Sequence, residues 1–245
     1  MKHIPNLITS LNLVSGFIAI IFASRGDIIS ASWLIAAAMV FDYLDGFSAR
    51  LLKAYSELGK ELDSLADCVS FGVAPAMIIF HLLSNSVSPD ALILVNEDPA
   101  NSVLMFLPVI MPVCAALRLA KFNLDSTQAT TFKGLPTPAN AIAVISLIFA
   151  VNFSDASAMK SMVSSPAFLL VYTSVLSLLM VSSIPLLSLK IKSLGLKGNE
   201  GRYLLVGLIL LCFAIFGLKA LPLIIPMYII ASVVQFYVIE PGTKI

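Results

Sequence analysis

The chain has 245 residues, of which 59% are hydrophobic and 12% charged, and its net charge is +1. A soluble domain carries about 25% charged residues, so this composition excludes a soluble globular enzyme. The near-neutral charge gives no support for a nucleic-acid partner. Three scattered cysteines predict neither a disulfide framework nor a metal cluster.

Long apolar segments determine the predicted fold, because a membrane-spanning helix needs about 20 apolar residues. We expect an all-α polytopic membrane protein of about eight transmembrane helices, forming one membrane-embedded domain over residues 1–245. Six or seven helices is the alternative, because the fifth segment is short and only a turn at 217–222 separates the last two. In chain order the segments lie at 7–24, 29–50, 62–83, 102–120, 138–152, 166–186, 203–218 and 220–238.

The distribution of basic residues predicts the orientation of these helices. With a cytoplasmic N-terminus and eight spans, twelve Lys and Arg residues lie on the cytoplasmic side and three on the other. Basic residues favour the cytoplasmic side of a membrane protein. The bias therefore supports an even number of spans and places the ends of the second and fourth helices in the cytoplasm.

Four aspartates are concentrated at the cytoplasmic ends of the second and third predicted helices. A charged side chain in the middle of a membrane costs about 3 kcal/mol on insertion scales, so four of them need a compensating partner. Asp42 and Asp45 share one helix face, and Asp63 and Asp67 share another. A short turn makes the two helices antiparallel neighbours, so we expect the two acidic faces to converge.

Converging carboxylates repel one another unless cations lie between them. Oxygen ligands without His or Cys suit Mg²⁺, Mn²⁺ or Ca²⁺. Two such ions fit a phosphoryl-transfer site, in which metals hold the attacking and leaving oxygens. Gly46 and Ala49 leave room for a ligand, and Arg50 can hold a phosphate. The alternative is that the small residues allow close helix packing and Arg50 only extends to the membrane surface.

The segment from Asp42 to Asp67 reads D-x₂-D-G-x₂-A-R-x₈-G-x₃-D-x₃-D and resembles the signature of the CDP-alcohol phosphatidyltransferase family at all eight fixed positions. Three other stretches are similar to bacterial and archaeal family members that transfer to serine: IPNLITSLNLVSGF, DSLADCVSFGVAPA and ALRLAKFNLDS…FKGLPTPANA. Lys121 departs from that pattern, since Arg is more common there, and the two differ in bidentate recognition.

The resemblance implies transfer of the phosphatidyl group from CDP-diacylglycerol to L-serine, giving phosphatidylserine and CMP. It implies two Mg²⁺ or Mn²⁺ ions, with Asp42, Asp45 and Asp63 as ligands and Asp67 as both ligand and catalytic base. Serine oxygen is a poor nucleophile and needs such a base. Within the signature, residues implied to line the cytidine and pyrophosphate site are Gly46, Ala49, Arg50 and Gly59.

The first helix carries a polar stripe of Asn6, Thr9 and Asn12. In lipid, such side chains face protein or a water-filled cavity. They either hydrogen-bond between helices or line the nucleotide pocket, and we expect the second role for Asn6 and Thr9.

The acceptor side is predicted in the basic, proline-containing segment 118–140. The carboxylate of L-serine needs a cationic partner, for which Arg118 is the first candidate, while Lys121 and Lys133 are further acceptor-side or phosphate contacts. The alternative is that these cations only anchor the chain at the cytoplasmic surface.

The resemblance also implies a homodimer in the bacterial inner membrane, with the active site facing the cytoplasm. Two other functions stay open at this point. One is the same transfer to glycerol phosphate or inositol phosphate. The other is a cation transporter, although transporters usually place such acids at mid-membrane and often in repeated halves, and no repeat is visible in this sequence.

Overall fold

The computed structural model confirms an all-α fold. Its described residues are 3–87, 104–124, 132–155, 157–187 and 199–236. The α-helices are α1 (His3–Ser24), α2 (Ile28–Leu51), α3 (Glu57–Asp67), α4 (Ala74–Val87), α5 (Ile110–Leu124), α6 (Thr137–Phe153), α7 (Ser157–Val163), α8 (Pro166–Val181), α9 (Glu200–Phe216) and α10 (Ile224–Val234). A π-helical segment, Cys68–Val73, joins α3 to α4, and 3₁₀ turns occupy Leu107–Val109 and Gly217–Leu223. Two short strands, β1 (Phe132–Lys133) and β2 (Pro185–Leu186), pair antiparallel.

A glycine and two capping residues determine where the first three helices end and begin. Gly26 breaks α1 from α2 at a φ of 85°. Asp27 then caps α2, because its carboxylate accepts a hydrogen bond from the Ser30 amide at 3.0 Å, which lowers the pKa of Asp27. Ser56 caps α3 in the same way, accepting from the Gly59 amide at 3.0 Å. These caps fix where the two acid-bearing helices begin.

The hydrophobic core surrounds α6, whose residues are buried along most of its length. Helix α1 approaches the π-helical segment very closely at Gly16. A Cβ atom added there would lie 2.7 Å from the Ser70 Cα, so only glycine permits this packing. The contact brings α1 against the chain immediately after Asp67.

The predicted count of eight spans is not confirmed. Among the described residues, five helical segments are long and apolar enough to cross a membrane: His3–Ser24, Ile28–Leu51, Glu57–Ser86, Leu107–Leu124 and Glu200–Val234. A sixth arises if α7 and α8, which are bent by 80° relative to each other, form one span. Helix α6 is apolar and has 17 residues, which is the lower end of the length range for a spanning helix, about 17–25 residues.

The C-terminal boundaries also differ from the sequence prediction. The helix predicted over 166–186 ends at Val181, because the chain that follows pairs with β1. The last apolar stretch folds back at Gly217, where φ is 57°. The Gly201 amide donates to the Gln235 Oε1 at 2.7 Å, so α9 and α10 lie side by side in antiparallel orientation. Residues 102–103 and 237–238 of the predicted segments lie outside the described residues.

Candidate active site

Helices α2 and α3 bring their acidic residues together at adjacent ends. Carboxylate oxygens of Asp42, Asp63 and Asp67 all lie within 4.8 Å of one another. Asp45 is not part of this group of three, although it is buried and lines a neighbouring cavity together with Asp63. The helical spacing thus produces the expected convergence, with three of the four acids at its centre.

The cluster of aspartate side chains, together with the neighbouring Asp45, has the properties of a cation site. The buried oxygens Asp45 Oδ2 and Asp63 Oδ1 have no hydrogen-bond partner within the described structure. Burial of an unpaired carboxylate oxygen is costly, and a bound cation would offset that cost. The donor set consists of oxygen atoms alone, which fits Mg²⁺ or Mn²⁺ and not zinc.

Buried polar residues hold the chain around Asp67. Asn12 donates from Nδ2 to the Asp67 Oδ1 at 3.2 Å, and the Ser70 hydroxyl donates to the Asn12 carbonyl at 3.0 Å. From α6, Asn140 donates to the Phe71 carbonyl at 2.9 Å. Asn12 therefore contacts an acid, while its neighbours Asn6 and Thr9 on the same polar stripe line a cavity.

The cavity beside the acids has a volume of about 220 Å³, and we call it the acidic cavity. Its lining includes Asp45, Asp63 and five of the residues predicted to bind the nucleotide, namely Asn6, Thr9, Gly46, Ala49 and Gly59. The exposed Arg50 is not among the lining residues. Sequence reasoning missed Tyr55, Ser56 and Lys60, which also line the cavity. These three residues lie within the signature segment from Asp42 to Asp67, and that position could have indicated that they line the cavity.

The two signature glycines have different environments. A Cβ atom on Gly46 would meet no atom within 4 Å, so this glycine leaves open space. A Cβ atom on Gly59 would lie 2.9 Å from the Asn6 Oδ1 and 3.0 Å from the Ser56 Oγ. Gly46 is therefore not explained by helix packing, whereas Gly59 permits a close approach between α1 and α3.

A second cavity, of about 110 Å³, contains all three predicted acceptor-side cations, and we call it the basic cavity. Arg118 is only 8% exposed, and its Nε has no partner among the described residues. Its guanidinium interacts electrostatically with Asp67 and Tyr228. The residues that line the basic cavity are Arg118, Lys121, Phe122, Lys133, Met180, Val181, Ser182 and Ser183.

A backbone clasp joins the two walls of the basic cavity. The Gly134 amide donates to the Ile184 carbonyl and the Leu135 amide to the Leu179 carbonyl, both at 2.9 Å. Gly134 has a φ of 76°, and a Cβ atom there would lie 2.6 Å from the Met180 carbonyl oxygen. The clasp holds Lys133 in the same cavity as the end of α8.

Hydrogen bonds between α3 and α5 link residues near the two cavities. Lys60, which lines the acidic cavity, donates from Nζ to the Asn123 carbonyl at 3.0 Å. The Asn123 Nδ2 donates to the Ser64 hydroxyl at 2.8 Å. Asn123 follows Lys121 by two residues, so these bonds tie the basic cavity to the acid-bearing helix.

Fold and site together define a polytopic membrane protein with a buried cluster of aspartates suited to divalent cations. The family model described as CDP-alcohol phosphatidyltransferase matches residues 2–181. The chain therefore belongs to the CDP-alcohol phosphatidyltransferase family, a family of transferases, as the signature between Asp42 and Asp67 predicted.

Curated relatives carry the name CDP-diacylglycerol–serine O-phosphatidyltransferase. The Mycobacterium leprae protein is 36% identical over 76% of this chain and 58% of its own length. The Bacillus subtilis protein is 35% identical over 75% of this chain and 89% of its own length. The Helicobacter pylori protein is 29% identical over 95% of this chain and 90% of its own length.

Proposed function

We propose that this protein transfers the phosphatidyl group of CDP-diacylglycerol to L-serine, forming phosphatidylserine and CMP. The relatives' shared name supports serine as the acceptor. One observation carries the proposal. The buried aspartate cluster and the cavity lined by three cations lie on helices that are joined to each other by a hydrogen bond. This arrangement supplies a site for each of the two substrates.

The acidic cavity receives the nucleotide end of the donor. Asn6 and Thr9 supply polar contacts, and the open space at Gly46 admits the ligand. Asp42, Asp45, Asp63 and Asp67 are the residues that would hold two Mg²⁺ or Mn²⁺ ions. Such ions, when bound, neutralise the pyrophosphate and stabilise the departing CMP. Arg50 does not line the cavity, so its role as a phosphate contact remains a prediction.

Asp67 acts on the acceptor hydroxyl. Its Oδ1 is held by Asn12, and its second oxygen is left to accept the serine hydroxyl proton. The serine oxygen then forms a bond to the β-phosphorus of CDP-diacylglycerol as the bond from that phosphorus to CMP breaks. The proton ends on Asp67, and the electron pair of the broken bond leaves with CMP.

The basic cavity orients the acceptor for this step. Arg118, with Lys121 and Lys133, binds the carboxylate of L-serine, and the planar guanidinium suits a bidentate contact. Arg118 interacts electrostatically with Asp67, which supports an acceptor site near the base. Lys60 and Asn123 maintain the spacing of the two cavities.

The membrane location follows from the multiple apolar helices, which make this an integral membrane protein. The diacyl chains of the donor can remain in lipid during the reaction. The bias of basic residues supports a site facing the cytoplasm, as expected for a bacterial inner-membrane enzyme. A homodimer remains a prediction from the family resemblance.

The proposal is tested by CMP release from CDP-diacylglycerol by the purified protein. L-serine, glycerol phosphate and inositol phosphate are compared as acceptors, each with and without Mg²⁺ or Mn²⁺. We expect CMP release and phosphatidylserine formation with L-serine and a divalent ion. Release with a phosphorylated alcohol in place of serine would overturn the acceptor assignment. Absence of release with every acceptor, from folded protein, would overturn the enzymatic proposal.

A further inference from the structure

The basic cavity is lined by uncharged residues as well as by its three cations. Its charged side chains, Arg118, Lys121 and Lys133, can only donate hydrogen bonds. Among the described side chains that line this cavity, the oxygen acceptors are the hydroxyls of Ser182 and Ser183. A carboxylate is satisfied by the cations, whereas an ammonium group requires an acceptor such as these hydroxyls.

The Ser182 hydroxyl is oriented so that it accepts. It donates its proton to the Leu179 carbonyl at 2.8 Å, which leaves the oxygen lone pairs for a second group. The Leu179 carbonyl also accepts from the Leu135 amide at 2.9 Å. Removal of the hydroxyl therefore leaves no unpaired carbonyl at this position, and the clasp at Gly134 remains.

We propose that Ser182 is a specificity-determining residue that accepts a hydrogen bond from the ammonium group of the acceptor. This inference rests on the proposed function, in which Arg118 binds the acceptor carboxylate. A cavity lined by both cations and a hydroxyl acceptor selects an amino-acid zwitterion. A phosphorylated alcohol needs only the cations, so it would leave Ser182 without a role.

The test compares L-serine with 3-hydroxypropanoate, which has the same hydroxyl and carboxylate but no ammonium group. Phosphatidylserine formation by the full-length protein gives KM for L-serine, KM for CDP-diacylglycerol and the inhibition constant of 3-hydroxypropanoate. For Ser182→Ala we expect KM for L-serine to rise about tenfold, the effect of losing a hydrogen bond to a charged group. KM for the donor and the inhibition constant should stay within about twofold of wild type.

Ser174→Ala is the matched control. Ser174 is on α8, the helix that ends directly before Ser182, and it also donates to a backbone carbonyl, that of Leu170 at 2.8 Å, but it does not line the basic cavity. Its kinetic constants should equal those of wild type. Ser182→Thr keeps the hydroxyl and should restore most of the affinity for L-serine. If Ser182→Ala does not fold, Ser182→Gly provides the same comparison.

Two results would overturn the role of Ser182. One is an unchanged KM for L-serine in the Ser182→Ala variant. The other is an equal weakening of L-serine and 3-hydroxypropanoate, which indicates a structural effect on the whole cavity. Arg118→Gln distinguishes this failure from failure of the proposed function, because it should weaken both compounds. If Arg118→Gln weakens neither, the basic cavity is not the acceptor site and the role of Ser182 fails with it, whereas failure of the proposed function would appear as no phosphatidylserine formation by wild type.

Discussion

Asn12 on α1 donates a hydrogen bond to the Asp67 carboxylate over 3.2 Å, although the two residues are 55 positions apart in the chain. Asn12 is completely buried and Asp67 nearly so. In a site closed to water such a bond fixes the direction in which the carboxylate presents its other oxygen. The relationship places α1 in direct contact with the proposed base and leads to the first prediction.

Replacement of Asn12 by Ala should lower kcat about tenfold, because Asp67 loses the group that orients it for proton transfer. KM for CDP-diacylglycerol should change little, since Asn12 does not line the acidic cavity. Steady-state kinetics of phosphatidylserine formation measure both constants. Asn152→Ala is the control, as this amide donates to the Ile148 carbonyl away from the site. A kcat within twofold of wild type for Asn12→Ala would refute the orienting role.

Replacement of Asp63 by Asn should raise the Mn²⁺ concentration needed for half-maximal activity by about tenfold or more. The variant removes a negative charge and alters an oxygen that has no other partner in the described structure. A metal titration of CMP release measures the shift. Glu61→Gln, on the same helix but outside the carboxylate group, should leave the titration unchanged. Equal metal requirements for Asp63→Asn and wild type would exclude Asp63 as a ligand.

Gly46 and Gly59 should respond differently to alanine. At Gly46 the methyl group enters open space beside the acids within α2, so KM for CDP-diacylglycerol should rise while thermal stability stays equal or increases. At Gly59 the methyl group meets Asn6 and Ser56, so thermal stability should fall as well. Kinetics and thermal unfolding in detergent separate the two effects. A donor KM unaffected by Gly46→Ala would show that the ligand does not approach this glycine.

Gly134→Ala should destabilise the protein by about 1–2 kcal/mol and raise KM for L-serine. The residue has a left-handed φ of 76°, and backbone carbonyls at 2.6 and 2.8 Å leave no room for a methyl group. Gly207→Ala is the control, because a Cβ atom there meets nothing within 4 Å and the position is helical. Thermal unfolding and serine kinetics provide the readouts. Equal behaviour of the two variants would contradict the role assigned to the clasp.

Helical periodicity predicted the convergence of Asp42, Asp63 and Asp67, whereas Asp45, expected to join them, lines the neighbouring cavity instead. Asp63 and Asp67 are one turn apart, and their helix is paired with α2 by a short turn, so local spacing determined the geometry. Gly46 and Ala49 were predicted at the cavity for the same reason. The family signature added the roles of these residues, which spacing alone does not contain.

Other features depend on contacts that no local pattern encodes. The π-helical segment after Asp67 is held by Asn140, which lies 69 positions from the Phe71 carbonyl it contacts. Ser182 enters the basic cavity only because α8 stops at Val181 and the chain pairs with β1. The number of spans stays unsettled by hydropathy, because apolar length alone shows neither the 80° bend between α7 and α8 nor the fold-back at Gly217.

The most direct test of the central claim is phosphatidylserine formation by wild type and Asp67→Asn, reconstituted in CDP-diacylglycerol-containing liposomes with L-serine and Mn²⁺. The account predicts equal amounts of phosphatidylserine and CMP from wild type. It predicts a loss of at least about 1,000-fold for a properly inserted Asp67→Asn protein, since the amide can neither accept the proton nor serve as an anionic ligand. Activity of Asp67→Asn within a few-fold of wild type would contradict the account.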